Sequence, residues 1–142
     1  MRLVFLDFDG VLHPLDDSTG SRSRFCWLPH LVTLLQEAQD VGVVVHSTWR
    51  YEYSDVELRA LLGELGPRFA GSAPRMPREL AIETVLQANA STVAHHLVLD
   101  DDGKEFSQGR LNLLLCDPAL GVSDPRVQSQ LRDWLVRTST MK

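Results

Sequence analysis

Along the chain, short and nearly unbroken apolar runs alternate with longer stretches in which apolar residues recur at helical spacing. Leu3–Phe8 is such a run and stops at Asp9-Gly10. Val43–His46, His96–Leu99 and Leu113–Cys116 repeat the pattern, the last two halting at Asp100-Asp101-Asp102 and at Asp117-Pro118. A run without a polar face suits a strand covered on both sides, as in a parallel sheet. The amphipathic stretches 28–41, 54–65, 78–90 and 125–137 predict four helices. The second opens with a capping box, Ser54 and Glu57, and ends near Gly66-Pro67; the fourth has Ser123 or Asp124 as its cap and Pro125 in the first turn. Arg68–Ala73 reads as a further short strand. The alternation predicts an α/β fold, with right-handed crossovers and a functional site beyond the carboxyl ends of the strands.

Composition narrows the class. With 142 residues, 44% hydrophobic and 23% charged, the chain suits one ordered domain and excludes intrinsic disorder. A net charge of −5 excludes a uniformly basic nucleic-acid wrapper but leaves room for a local basic patch. Cys26 and Cys116 are too few for a disulfide framework and read as two free thiols. Met1–Leu6 meets Asp7 too soon for a signal peptide, and no run reaches the length of a membrane span, so the expected compartment is the cytoplasm.

Four loops following predicted strands hold the candidate chemistry. Asp7 and Asp9 are two apart on an extended chain and share a face, with Gly10 free to turn sharply behind them. Two carboxylates so close call for a hard cation such as Mg²⁺; an EF-hand is excluded because Gly10 falls at the fourth place from Asp7 rather than the sixth. Ser47-Thr48-Trp49-Arg50 offers hydroxyls, backbone N–H groups and a positive charge to a phosphoryl oxygen. His46 reads as a packed strand residue, and without a G-x-S-x-G elbow Ser47 is no hydrolase nucleophile. Arg75 and Arg78 stand before the third helix, and Arg78, at its base, is the better placed to neutralise an anion. The run Asp100-Asp101-Asp102 ends an apolar strand and is costly unless a cation shared with Asp7 and Asp9 sits there.

Together FLDFDGVLHP, STWR and LDDD resemble the haloacid dehalogenase (HAD) superfamily, and more specifically the small HAD domains grouped with RNA repair proteins. The resemblance implies a three-layer Rossmann-like fold with a mostly parallel central sheet. It also implies a single domain over 1–142 without a separate cap, residues 13–28 forming a short flap. Asp7 would be the nucleophile of an aspartyl-phosphate and Asp9 the general acid and base. Mg²⁺ would be held by the Asp7 carboxylate, the Asp9 carbonyl and Asp100 or Asp101, while Ser47, Thr48, Arg50 and Arg78 bind the phosphoryl oxygens. The third motif carries an arginine where the family has lysine. Lacking a cap, the chain is expected to act on a nucleotide or a nucleic-acid phosphate end, with Arg22, Arg24, Arg50, Arg75 and Arg78 as a basic rim and Trp27 or Trp49 either stacking on a base or packed in the core. The alternative is a catalytically weak module that binds a phosphorylated ligand or partner protein.

Overall fold

The computed structural model describes residues 1–16 and 24–139. Strands β1 (Arg2–Leu6), β2 (Val41–Val45), β3 (Phe69–Ser72), β4 (His95–Asp100) and β5 (Leu113–Leu115) form one sheet in the order β3-β2-β1-β4-β5, every pairing parallel. Both β1 and β2 are buried at every position, the reason their sequences lack a polar alternation. Helices α1 (Leu28–Leu35), α2 (Asp55–Leu61), α3 (Arg78–Ala88) and α4 (Pro125–Arg137) supply the outer layers. Alternate strand residues sort onto two cores. Val4, Leu6, Val43, Val45, Leu97 and Leu99 pack with Leu31, Leu35, Leu58, Leu62, Leu131 and Trp134, which puts α1, α2 and α4 on one face. Leu3, Phe5, Val44 and Val98 meet Ala81 and Ile82 of α3 on the other. The result is the α/β fold that the residue pattern predicts, in the three layers that the family resemblance implies.

Element ends depart from the predicted ones where side chains intervene. Stretch 28–41 ends as a helix at Leu35, because the Arg68 guanidinium donates to the carbonyls of Leu35, Ala38 and Val41 and pins a turn there, freeing Val41 to begin β2. Stretch 54–65 is helical to Leu61 and then tightens into a 3₁₀ segment, Gly63–Arg68, that contains Pro67. The predicted capping box is present: the Ser54 N–H donates to Glu57 and the Glu57 N–H to Ser54 Oγ. Pro125–Arg137 is helical as predicted, with Asp124 as its cap.

Counting outward from β1, the chain runs to β2 and β3 on one side and to β4 and β5 on the other. The reversal between β1 and β4 opens a crevice beyond their carboxyl ends. The loop after β5 closes onto the turn after β1, where the Val122 N–H donates to the Val11 carbonyl at 3.0 Å. Gly121 permits that approach, since at φ +51° a Cβ there would lie 2.3 Å from the Val11 oxygen. Among the described residues no helix is long and apolar enough to cross a membrane.

Candidate active site

Strand parity decides which side chains meet. Leu6 pairs with Val45 on one side and Leu99 on the other, so Asp7, His46 and Asp100 stand level at the ends of three adjacent strands. They continue the Phe5, Val44 and Val98 row and therefore face α3. Arg78, the first residue of α3, reaches back over them. Its Nη1 donates to both Asp100 oxygens at 2.9 Å and lies 3.5 Å from Asp7 Oδ2. Arg75 stays outside, against the Tyr51 carbonyl and ring.

Asp7, Asp100 and Asp101 each place a carboxylate oxygen within 4.8 Å of the others. Their surroundings differ. Asp100 is fully buried and well supplied: His46 Nε2 donates at 2.7 Å, Arg78 at 2.9 Å and the Asp102 N–H at 2.9 Å. Burial pushes its carboxyl up, but the His46 hydrogen bond and the Arg78 charge outweigh that and hold it below the ordinary value. Burial also keeps His46 neutral, so Nε2–H is the donor. Asp7, 1% exposed, is driven well above the ordinary carboxylate range by desolvation and by the Asp100 charge, which Arg78 offsets only in part. Its Oδ1 is buried without a hydrogen-bond partner among the described residues. Asp101 sits against Gly10, where φ is +77° and a Cβ would fall 2.2 Å from Asp101 Oδ2. The sharp turn after the first motif is what lets Asp101 come this close. Asp102 turns away and accepts the Lys104 N–H at 3.0 Å.

Three crowded carboxylates, one with a bare buried oxygen, fit a hard divalent cation. A cation would add the positive charge that Arg78 supplies to Asp7 only in part, and Mg²⁺ is the ion HAD domains usually take.

Asp9 is placed differently. Its carboxylate points to two rings, accepting Trp49 Nε1–H at 3.0 Å and contacting His13 Nε2 at 2.8 Å. Ser47 is buried at the end of β2, where its Oγ accepts the Trp49 N–H, and Thr48 is exposed beside it. Arg50 departs from the expected phosphoryl contact. It is 5% exposed and its guanidinium donates to the carbonyls of His46, Ser47, Pro74 and Met76 and to the Tyr51 hydroxyl. Its charge strengthens a scaffold that ties the β2 loop to the segment leading into α3. Of the other rim residues, Arg24 lies 4.8 Å above the Trp49 ring, and Arg22 falls outside the described residues. Trp27 is in the core, whereas Trp49 is half-buried at the site.

His13 and His46 are polar partners that the sequence pattern does not single out: a lone histidine inside an apolar run carries no spacing signal. Both thiols are free, and burial pushes Cys116 up to about 12, which leaves it inert.

A comparison with protein families matches residues 3–127 to the HAD domain in Swiss Army Knife RNA repair proteins. Neither the curated proteins nor the solved structures give a match. The matched region takes in β1 from Leu3, the other four strands and the acidic crevice, and the HAD family supports phosphatase-type chemistry in general terms. By that match, which the all-parallel three-layer fold accompanies, the chain belongs to the HAD domains of Swiss Army Knife RNA repair proteins.

Proposed function

We propose that the chain is a Mg²⁺-dependent phosphomonoester hydrolase working through an aspartyl-phosphate on Asp7. The observation that carries this reading is Asp7 Oδ1, a buried carboxylate oxygen without a partner, set among Asp100, Asp101 and Arg78 at the sheet's reversal point. Asp7 Oδ1 attacks phosphorus while the bond to the leaving oxygen breaks, and Asp9 gives that oxygen a proton. Asp9 then takes a proton from water, the water oxygen attacks phosphorus, and Asp7 is released with inorganic phosphate. Arg78 and the hydroxyls of Ser47 and Thr48 bind the phosphoryl oxygens as their charge spreads. The carboxylates of Asp7, Asp100 and Asp101, with the Asp9 carbonyl, would hold Mg²⁺, which supplies the charge that lets an anionic nucleophile meet an anionic phosphate.

The substrate is a nucleotide or a nucleic-acid phosphate end. The family's own description supports this, as do Arg24 and Arg75 on the exposed rim of the loops. In this reading the chain is a single cytoplasmic domain without a separate cap, so the substrate itself covers the crevice; residues 17–23 of the expected flap lie outside the described residues. The test is release of inorganic phosphate from p-nitrophenyl phosphate and from oligonucleotides ending in 3′- or 5′-phosphate, with and without Mg²⁺. Turnover that needs Mg²⁺ and disappears in Asp7→Asn is expected. Folded protein that binds phosphate-ended oligonucleotides but releases nothing would establish the binding-module alternative instead.

A further inference from the structure

We propose that His13 and Trp49 are positioning residues for Asp9, and that the end of the flap, through Phe25, fixes His13 in that task. The proposal rests on the reading of Asp9 as the proton donor and acceptor of the reaction.

Asp9 is far more exposed than Asp7 or Asp100. Its side chain is 39% exposed, against 2% for Asp7 and 0% for Asp100, so packing alone does not fix it. A proton transfer needs the carboxylate within hydrogen-bond reach of the leaving oxygen and in one orientation. Two ring N–H groups supply that constraint, one for each oxygen: His13 Nε2 at 2.8 Å from Oδ1 and Trp49 Nε1 at 3.0 Å from Oδ2. Each oxygen accepts one ring N–H through one lone pair and keeps the other lone pair to exchange a proton with the leaving oxygen or with water.

Each ring is itself held. The Phe25 N–H donates to His13 Nδ1 at 3.2 Å, and a backbone N–H can only donate. In the neutral ring the proton therefore sits on Nε2, aimed at Asp9. Phe25 adopts φ +58°, a left-handed conformation that a side chain of this size rarely takes, and in it the N–H meets His13 while the ring packs on Phe8, His13 and Trp49. Trp49 lies in the 3₁₀ turn capped by Ser47, edge-on to Phe8 and stacked on Tyr53 at 5.5 Å. Phenylalanine would keep an aromatic ring in that cluster but not the N–H directed at Asp9.

The test compares kcat/KM on phenyl phosphate and on p-nitrophenyl phosphate, with Mg²⁺ and the full chain. Phenolate is the poorer leaving group and gains more from a placed acid. His13→Phe and Trp49→Phe are each expected to lose tenfold or more on phenyl phosphate, on the order of the lower range for acid–base catalysis, and several-fold less on p-nitrophenyl phosphate, with KM within about twofold. His13→Gln, which keeps an N–H near the Nε2 position, should recover most of the loss. The ratio between substrates cancels the concentration of active protein, so lowered stability alone does not move it. Unchanged ratios in His13→Phe and Trp49→Phe, with Asp9→Asn inactive, would overturn the positioning role and leave the reading of Asp9 intact. An active Asp9→Asn, or a wild-type chain that hydrolyses neither ester, would overturn that reading and the proposal with it.

Discussion

Asp7 pairs a bare buried oxygen with a carboxylate neighbour, an arrangement that a folded chain without a cation tolerates only at a cost. Its raised pKa means that the folded state resists ionising it, so stability is lost as pH rises above the ordinary carboxylate value. Asp7→Asn removes that burden. In EDTA at neutral pH the variant should unfold about 3–5 °C above the wild type, a gain of about 1 kcal/mol. A lower midpoint would show that Asp7 is a stabilising residue rather than a strained one. Gly10→Ala acts at the same place in the opposite sense, because its Cβ would enter the space of Asp101 Oδ2. Phosphate release should fall at least tenfold, with a weakened response to Mg²⁺ in titration. These residues were legible in the sequence because two strand ends carried acids where apolar runs stop. The histidines were not: His46 is two strands away from Asp100 in the sheet and 54 residues away in the chain.

At the level of elements, the site depends on how loops are tied to strands. Arg50 holds the carbonyls at the end of β2 and those of Pro74 and Met76 with one guanidinium, and α3 with Arg78 begins just beyond. Lysine cannot span these acceptors. Arg50→Lys should destabilise the fold by about 2–4 kcal/mol in urea unfolding, since buried carbonyls lose their donors. A change under 1 kcal/mol would place Arg50's charge elsewhere. Strands, capping box and the last helix follow from local pattern, since burial on both faces and cap chemistry are written into adjacent residues. The early end of α1 is not, because it is set by Arg68, which meets Leu35 from 33 residues further along. Likewise the reach of an arginine in the 47–50 loop, inward to carbonyls or outward to a ligand, depends on a segment 24 residues later.

Across the whole molecule, chemistry gathers at the carboxyl ends of the strands, while the amino ends are locked by charge. Arg2 is 5% exposed and pairs with Asp40 at 2.8 Å while also donating to the Leu135 carbonyl and Thr138 Oγ1, which joins β1 to α4. Hydrogen bonding to Arg2 holds Asp40 below its ordinary value of 3.8. A depressed acid contributes stability that is fully present above 3.8 and is lost as pH falls through its folded value. Asp40→Asn should therefore melt slightly below the wild type at neutral pH, with the gap closing on acidification below 3.8; a gap independent of pH would exclude the linkage. At the opposite end, the proposed hydrolysis needs one cation and one phosphoryl group to meet at Asp7. A crystal structure of the chain soaked with Mg²⁺ and beryllium fluoride tests this most directly. The expected result is a fluoroberyllate on Asp7 Oδ1, Mg²⁺ among Asp7, Asp100 and Asp101, and Arg78 turned to the fluorides. An anion bound elsewhere, or an acidic crevice that admits no Mg²⁺ at saturating concentration, would contradict it.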